Sequence, residues 1–409
     1  MAFSSSVDAA LRQFNSDIYE DAAFRKHVLM GIMPKKAVYG NAFKQPLATS
    51  YTAGIGGTFS NAQSNQTDVG RVAYLVSPFF TYAVEDVANT DIAVSENKAG
   101  AVVDLLTDAI EKSMRACGDQ LEMSLFGDGS GTIGTISSNT NPSGTTYVLT
   151  LTTPSDALRF GLNQVLVSKA TAFAGSLDTG TALVTATDLI NGTVTVTAQS
   201  SWTPTNGHVL GVQGTMLAST SIVTFPGLTS WITNDSGALS ASFFGVTRST
   251  AGNQQEVAGW VLDGTSLNIQ QAINQLAQQI GVFSGAEPDK VIMSYANYAK
   301  LLTILDNKAR NIQTKGAGIT VYYDSVEIFG PAGKLEVIPS SFCPSDKVFI
   351  LDSKTWQLGS PNNKPIRNAD PDRPYVALSS KDALEVRMIS QCYVTCSFPG
   401  ANGYITVTP

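Results

Sequence analysis

The chain has 409 residues, of which 43% are hydrophobic, enough for two or three domains with sizeable cores. Only 14% are charged, against about 25% in an average soluble domain, and so little charge favours a protein that hides much of its surface against other chains. The net charge of −7, with Lys and Arg clustered no further than pairs such as Arg25-Lys26 and Lys35-Lys36, excludes tight sequence-independent binding to nucleic acid.

The first forty residues predict an extended arm. Helical spacing over residues 7–14 and 18–30 alternates with scattered charge, and the pattern ends at Pro34. The start lacks the charged residues and the apolar stretch of a signal peptide, and no apolar run reaches the roughly 18 residues needed to span a bilayer. We therefore expect the protein to fold in a reducing cytoplasm, without a membrane.

Residues 41–82 predict a long hairpin. Two runs rich in Val, Tyr, Phe and Thr, AFKQPLATSY and RVAYLVSPFFTY, have the composition of strands. The segment between them, TAGIGGTFSNAQSNQTDVG, has almost nothing to bury, and two strands alone are marginally stable in water. Such a hairpin is understandable mainly if a neighbouring chain holds it, and the alternative is an ordinary mobile surface loop.

Residues 96–126 predict the clearest element, a helix roughly 40 Å or more in length. Apolar residues recur every three or four positions as far as Leu125, and charged residues, including Asp119 and Glu122, occupy the opposite face. The helix is expected to end at Gly127, because glycine suits the left-handed conformation that follows a helix. A single apolar stripe on so long a helix indicates that it lies across a sheet.

The composition changes sharply after this helix. From Gly131 to Phe225 only five residues are charged, and Thr, Ser, Val and Gly dominate. Short alternating runs such as TYVLTLT and GTVTVTA are separated by turn sequences such as NPSG, ING and PTNG. Strands at a spacing of roughly 8–12 residues predict a small β-barrel or sandwich, inserted at residues 132–225.

The rest of the chain predicts mixed helices and strands. SLNIQQAINQLAQQIG has the pattern of an amphipathic helix with Leu267, Ile273, Leu276 and Ile280 inward. Its polar face consists of Gln and Asn, a composition that suits contact with another protein. DKVIMSYANYAKLLTILD predicts a strand and then a helix capped by Ser294. Strands follow in VYYDSVEIFG, KLEVIPS, KVFILD and DALEVRMISQCYVTC, and the polar loop RNADPDRP precedes the last of them.

The usual catalytic patterns are weak or absent. The glycines of GDGSGTIG follow a helix, whereas a dinucleotide loop follows a strand and opens a helix. A Ser-His-Asp set would need His27 or His208, the two histidines of the chain, as its base. The nearest carboxylate pairs, Glu85-Asp86 and a second pair in RNADPDRP, adjoin turn residues, which favours a structural role. We expect no catalytic residue and no cofactor.

The cysteines suggest neither a disulfide nor a metal site. Cys392 and Cys396 would lie about 13 Å apart on one strand, too far for a disulfide. Zinc at this C-x₃-C spacing is disfavoured because neither histidine lies near a cysteine in the sequence. We expect buried free thiols at these two positions and at Cys117 and Cys343.

The order of these parts resembles the major capsid proteins of tailed bacteriophages, which have the Hong Kong 97-type shell fold. Local resemblances cover residues 1–130 and 226–409: SLFGDGSG, PGLTSWI, FFGVTRS, DKVIMSYANYAKLL, LEVIPSSFCPSDKVFILDSKTWQL and EVRMISQCYVTCSFPGANG. The resemblance implies an α+β fold with an N-terminal arm (1–40), an extended hairpin or E-loop (41–82), a peripheral P-domain (83–131 and 360–409) with the spine helix 96–126, and an axial A-domain with parts of the P-domain (226–359). The all-β insertion (132–225) departs from the basic fold and resembles the insertion domains with which some members brace capsomers.

The resemblance also implies what the chain does. Copies would form the pentamers and hexamers of an icosahedral head, assembled in the host cytoplasm and enclosing double-stranded DNA without strong specific binding. Portal, scaffolding and decoration proteins are the expected partners. Contacts between subunits are expected at the hairpin and at the RNADPDRP loop, for which an ordinary exposed turn is the alternative. The residues expected there are Gly54, Gly57, Phe59, Asn65, Asp68, Arg71, Arg367, Asp370, Asp372 and Arg373.

Two other functions stay open from the sequence. An encapsulin-like compartment would use the same fold to enclose protein cargo, and portal and terminase genes beside this one would favour a phage instead. A phage tail or adhesin subunit would bind carbohydrate through the β insertion, which a glycan array would detect.

Overall fold

A computed structural model of the chain describes residues 27–50, 53–89, 99–173, 175–216, 226–250, 254–309, 326–370 and 375–408. Its helices are α1 (Val28–Ile32), α2 (Phe59–Ser64), α3 (Ala99–Phe126), α4 (Leu228–Trp231), α5 (Ser236–Ser240), α6 (Gln254–Ala258), α7 (Ile269–Ser284) and α8 (Tyr295–Ala309). None of these described helices is both long and apolar enough to cross a membrane.

The strands of the described residues are β1 (Lys35–Ala37), β2 (Phe43–Ala48), β3 (Arg71–Val76), β4 (Phe79–Ala88), β5 (Thr132–Ser143), β6 (Thr146–Leu151), β7 (Val165–Lys169), β8 (Thr181–Asp188), β9 (Thr193–Gln199), β10 (Val209–Val212), β11 (Ser242–Phe243), β12 (Val246–Thr247), β13 (Trp260–Asp263), β14 (Lys290–Met293), β15 (Val326–Gly330), β16 (Gly333–Pro339), β17 (Lys347–Leu351), β18 (Trp356–Ser360), β19 (Ile366–Asn368), β20 (Val376–Ala377), β21 (Ala383–Cys396) and β22 (Gly403–Thr406). The chain divides into two compact units, the first comprising Met1–Phe43, Ser77–Leu125 and Gln357–Thr395, and the second comprising Lys44–Val76, Phe126–Trp356 and Cys396–Pro409.

The first unit contains a sheet built around the long strand β21. Strands β1, β18, β21 and β19 follow one another in that order, and β4 and β20 also pair with β21. The long helix α3 packs on β4 of this sheet. Ser113 Oγ of the helix donates to Glu85 Oε2 at 3.4 Å, and Cys117 Sγ lies 3.9 Å from the carbonyl oxygen of Thr81. The helix therefore lies across a sheet, as its apolar stripe predicts.

The predicted hairpin forms, but its second strand is shorter than predicted. Strands β2 and β3 pair with each other, whereas β4 pairs antiparallel with β21. The run RVAYLVSPFFTY therefore forms two strands in two sheets rather than one strand. The break falls at Ser77-Pro78, where proline has no N–H to donate to a ladder.

The second unit contains a closed barrel with the strand order β10-β5-β6-β9-β8-β7. Its strands run from Thr132 to Val212 and pair antiparallel throughout. The alternating valines and leucines of these strands point inward and form a separate core. The two ends of the barrel segment meet, because a Cβ at Gly131, where φ is +79°, would lie 2.4 Å from the carbonyl oxygen of Thr215.

A second sheet of the same unit has the order β13-β22-β17-β14-β16-β15. Helices α7 and α8 share one hydrophobic core with this sheet. The residues predicted to face inward from α7, Ile273, Leu276 and Ile280, are fully buried in that core, and Leu267 is partly buried against it. Ser294 accepts the N–H of Asn297 at 3.3 Å, which confirms the predicted cap of α8.

All four cysteines are free and buried, as predicted. Cys392 and Cys396 both lie on β21. Burial raises the pKa of the Cys117, Cys392 and Cys396 thiols to about 12. These thiols stay protonated at neutral pH, so they behave as small hydrophobic groups rather than as nucleophiles or metal ligands.

Candidate assembly surfaces

Five of the six hairpin residues expected at a subunit contact lie in the segment between β2 and β3, and the sixth, Arg71, is the first residue of β3. Gly54 is half-buried, and Gly57, Asn65, Asp68 and Arg71 are exposed. Phe59 begins the short helix α2 with 82% of its surface exposed.

The tip of the hairpin has a structure of its own, which its polar composition did not predict. Thr58 caps α2 by accepting the N–H of Asn61 at 3.3 Å. The side-chain amide of Asn65 donates to the carbonyl oxygen of Ile55 at 3.1 Å. Ile55 is itself 77% exposed, so the tip presents two large apolar side chains, Ile55 and Phe59, to solvent. The sequence analysis did not identify Ile55 as a contact residue. The signal that could have identified it is a single Ile within a run of Gly, Ser and Asn.

The base of the hairpin is fixed by an aromatic cluster. Tyr74 of β3 is fully buried, and its ring meets the edge of Trp231 with the centroids 5.0 Å apart. Trp231 also packs edge-on against Phe243 at 5.1 Å. The Tyr74 hydroxyl donates to the carbonyl oxygen of Val257 at 2.9 Å, so its polar end is satisfied within the core.

A buried arginine completes this cluster. Arg248 donates through Nη1 to the carbonyl oxygens of Ser230 and Trp231 at 2.9 and 3.1 Å, and its guanidinium lies 4.2 Å from the centre of the Phe243 ring. Burial lowers the pKa of Arg248 to about 10 and raises that of Tyr74 to about 12. At neutral pH the arginine is therefore charged and the tyrosine neutral, a combination that retains both sets of hydrogen bonds. The hairpin thus combines a rigid base with an exposed tip.

The polar loop RNADPDRP is described only in part. Arg367 lies on β19 and donates through Nη2 to Gln391 Oε1 at 3.1 Å. The N–H of Asp370 donates to Asn368 Oδ1 at 3.3 Å. Asp372 and Arg373 lie outside the described residues. A role of this loop in subunit contact stays a prediction.

Strand β4 carries an apolar stripe that the sequence analysis did not identify as a surface. Phe80, Tyr82 and Val84 alternate along the strand and are 50%, 62% and 56% exposed. Ile389 and Arg387 of β21 lie directly opposite Tyr82 and Val84 in the register, so all five share one face of the sheet. Three half-exposed apolar side chains in a row are typical of a surface that another protein covers.

The carboxylates Glu85 and Asp86 do not form a catalytic pair. Successive residues of a strand point to opposite faces, and these two follow that rule. Glu85 accepts from Ser113, whereas Asp86 accepts from Lys381 Nζ at 3.0 Å on the exposed side. The hydrogen bond and charge of Lys381 lower the pKa of Asp86.

The structure corrects the position of Glu122, which the sequence pattern places on the polar face of α3. Glu122 is fully buried, and its two carboxyl oxygens accept the N–H groups of Leu29 and Met30 at 2.8 and 3.2 Å. Beside it, His27 Nε2 lies 2.8 Å from Asp119 Oδ1. The helical pattern assigned Glu122 to the wrong face because the hydrogen-bond partners of Glu122 lie in a remote segment, residues 27–30.

Glu122 should make the stability of the protein depend on pH. Burial raises its pKa from 4.5 to about 7, so between these values the folded protein holds a proton that the unfolded chain releases. We expect the free energy of unfolding to fall by about 3 kcal/mol as the pH rises from 4.5 to 7, and then to level off. Urea titrations at pH 5 and pH 8 measure this difference.

A matched pair of variants tests whether Glu122 causes that pH dependence. Glu122→Gln cannot ionise and should flatten the slope, and Glu111→Gln, on the exposed side of α3, should leave it as in the wild type. An unchanged slope in Glu122→Gln would show that Glu122 does not cause the pH dependence.

The barrel contains a partly buried polar network around Asp178. The Ser168 hydroxyl donates to Asp178 Oδ2 at 2.5 Å, and His208 Nδ1 lies 2.8 Å from the same oxygen. Trp202 Nε1 donates to Ser168 Oγ at 2.9 Å. Because Asp178 rather than His208 accepts the hydroxyl hydrogen, and Ser168 is fully buried, the network fastens the barrel wall and does not activate a nucleophile. Within the described part of the chain, no group of three or more His, Cys, Asp or Glu residues could hold a metal ion.

Comparison with known proteins identifies the fold. Residues 206–372 match the family described as SU10 major capsid protein. Among solved structures, the chain is similar to the cyanophage A-1(L) capsid asymmetric unit, with 12% identity, 93% of this chain and 92% of that chain covered, and a TM-score of 0.51. The fold is that of a phage major capsid protein. The predicted α+β class and the resemblance to phage major capsid proteins are therefore confirmed, and the Hong Kong 97-type shell fold is consistent with these matches.

Two further solved structures are similar to the chain. A chain of Mycobacterium phage Adephagia has 12% identity, covers 100% of this chain and 99% of its own, and gives a TM-score of 0.43. A chain from the capsid of a native GTA particle has 9% identity, with 93% and 90% covered and a TM-score of 0.46. No curated protein matches the sequence. The division into arm, E-loop, P-domain, insertion and A-domain, and the ten contact residues, stay predictions.

Proposed function

We propose that this chain is the subunit from which a tailed phage builds its icosahedral head, with copies associating as pentamers and hexamers around double-stranded DNA. The observation that carries the proposal is the similarity of fold to the cyanophage capsid over more than nine tenths of both chains. The match of residues 206–372 to a phage family supports a phage head over an encapsulin-like compartment.

The hairpin is the segment that we propose to lie over a neighbouring subunit. Its base is held within its own unit by Tyr74, and its tip exposes Ile55 and Phe59. Large apolar side chains at the end of a fixed arm gain free energy only when another surface covers them. The other predicted hairpin residues, Gly54, Gly57, Asn65, Asp68 and Arg71, would then form the rim of this contact. The loop with Arg367, Asp370, Asp372 and Arg373 would form a second contact.

The charge of the chain supports a container that holds DNA loosely. The net charge is −7, and phosphate contacts by Lys and Arg dominate the affinity of proteins for DNA. Weak attraction permits DNA to be packed and released. The protein would thus be found in the virion, with portal, scaffolding and decoration proteins as further partners during assembly in the host.

Negative-stain electron microscopy of the expressed protein tests the proposal. Closed particles, or rings of five and six subunits, are the expected result. A monodisperse monomer at high protein concentration would overturn it. A tail or adhesin role would instead require binding of a glycan by the barrel, for which a glycan array should show no signal.

A further inference from the structure

The segment before strand β1 is held against the long helix α3 by a buried carboxyl group. Helix α1 (Val28–Ile32) begins after His27, whose side chain does not cap it. The N–H groups of Leu29 and Met30 donate instead to the two carboxyl oxygens of Glu122, at 2.8 and 3.2 Å. Both residues and Glu122 are fully buried. A side chain of α3 therefore satisfies the first N–H groups of α1, which its own segment leaves unpaired.

The imidazole of His27 belongs to the same contact. Its Nε2 lies 2.8 Å from Oδ1 of Asp119, one turn before Glu122 on α3. Glycine at position 118 makes room for the ring, because a Cβ there would lie 3.0 Å from His27 Cε1. Among the described residues, His27 and Asp119 are the titratable groups whose charges act on Glu122. In this part of the chain, no lysine or arginine therefore compensates a negative charge on Glu122.

The residues that follow this contact are held in a different way. Strand β1 (Lys35–Ala37) pairs parallel with β18, and the N–H of Val38 donates to the carbonyl oxygen of Ser360 at 3.1 Å. The hydroxyl of Tyr393 donates to the carbonyl oxygen of Gly40 at 2.5 Å. Backbone amides and a tyrosine hydroxyl do not titrate between pH 5 and pH 8. This attachment to the sheet is therefore independent of pH in that range.

Residues 27–33 can open while β1 stays in place. Helix α1 ends before Met33, whose backbone is extended, with φ −70° and ψ 126°. Pro34 follows and has no N–H, so it gives no backbone donor to this junction. The carbonyl oxygen of Pro34 accepts the N–H of Leu358 at 3.0 Å, so the attachment to the sheet begins at this residue. Met33-Pro34 is thus the junction between the contact with α3 and the contact with the sheet.

Burial determines which form of Glu122 favours the closed arrangement. Burial of the charge outweighs the opposing effect of the two N–H donors and raises the pKa of Glu122 from 4.5 to about 7. If residues 27–33 moved away, Glu122 would lie on the surface of α3 with the ordinary pKa of a glutamate. The closed arrangement therefore holds a proton that the open one releases. It is most favoured below pH 4.5 and loses this advantage as the pH rises to 7.

We propose that residues 27–33 are a latch controlled by one proton: the latch stays closed on α3 while Glu122 is protonated, and ionisation of Glu122 favours its opening at Met33-Pro34. An open latch adds seven residues, roughly 23–25 Å of extended chain, to the reach of residues 1–26, which are joined to it. The latch is a property of the single subunit and does not depend on the proposed capsid function.

Hydrogen exchange of the 409-residue chain tests the latch. A protection factor compares the measured exchange rate with the intrinsic rate at the same pH, so it removes the direct effect of pH on exchange. The protection factor of residues 28–33 should fall on the order of a hundredfold between pH 5 and pH 8, because the open latch releases the proton of Glu122. A protection factor that stays constant or rises over this range would overturn the proposal.

Urea separates opening of the latch from unfolding of the whole chain. Opening of residues 27–33 exposes little surface, so low concentrations of urea at pH 8 should hardly change the exchange of this segment. Exchange of residues 35–37 requires loss of the pairing between β1 and β18 and should become faster as urea is added. Equal acceleration of both segments would mean that the latch does not open by itself and would also overturn the proposal.

Two variants on α3 identify the group that controls the latch. Glu122→Gln keeps the shape of the side chain but cannot ionise, so the protection factor of residues 28–33 should no longer depend on pH. Asp119→Asn removes the charge beside His27 but keeps an oxygen acceptor, and it should retain most of the pH dependence. Loss of the dependence in Asp119→Asn together with its persistence in Glu122→Gln would assign the control to His27 and Asp119 and refute the role of Glu122.

Discussion

Deleting residues 52–68 is expected to give a folded subunit that cannot close a stable shell. The deletion removes the exposed tip with Ile55 and Phe59 but leaves β2, β3 and the buried Tyr74 in place. The shortened turn can still close, because Ser50 and Gly70 lie side by side, with the Gly70 N–H donating to Ser50 Oγ at 2.7 Å. Circular dichroism should match the wild type, and electron microscopy should show free subunits or open fragments.

Point variants test whether the apolar side chains of the tip, rather than the length of the hairpin, hold subunits together. Ile55→Ser combined with Phe59→Ser removes the exposed apolar side chains and should weaken shells in the same direction, without loss of subunit stability. Leu189→Ser combined with Ile190→Ser removes two exposed side chains from the barrel instead and serves as the matched control. Shells of normal yield and stability from the deletion variant would show that the hairpin does not hold subunits together.

Trp231→Ala is expected to lower the free energy of unfolding by about 3–5 kcal/mol, the usual cost of emptying a buried aromatic site. The indole is fully buried and contacts Tyr74, Phe243 and Trp356 at centroid distances of 5.0, 5.1 and 6.4 Å. Urea unfolding followed by circular dichroism measures the change.

The same variant should loosen the base of the hairpin. Hydrogen exchange of β3 should become faster, because Tyr74 loses the ring against which it packs. Tyr295→Ala, at an exposed ring, is the control and should change the free energy of unfolding by less than about 0.5 kcal/mol. Equal losses from the two variants would mean that the aromatic cluster does not carry the stability assigned to it.

The parts of the fold that depend on local periodicity could be predicted from the sequence. The apolar repeats of α3 and α7 and the cap at Ser294 each lie within a single element, so the local sequence pattern is enough to predict them. Glu122 could not be placed correctly, because its partners are the backbone N–H groups of a segment about ninety positions away. The split between β3 and β4 was missed for a similar reason, since only the pairing with β21 shows that a new sheet begins.

The candidate contact surfaces were predicted less completely than the fold. The hairpin was identified from its polar composition, but that composition concealed the helix α2 and the exposed Ile55. The exposure of Phe329 depends on which face of its strand meets α7, and the run VEIFG does not state which face that is. Surfaces that join chains are therefore harder to predict than cores, because their partners are absent from the sequence pattern of one element.

The two ends of the barrel segment meet at Gly131 and Thr215. The barrel could therefore be exchanged for another domain. A domain that enters and leaves at one point adds no requirement on the spacing of the elements that flank it. A different folded domain whose termini lie equally close could replace residues 132–214 without moving α3 or α4. In the shell that we propose, each subunit would then carry one copy of the replacement domain.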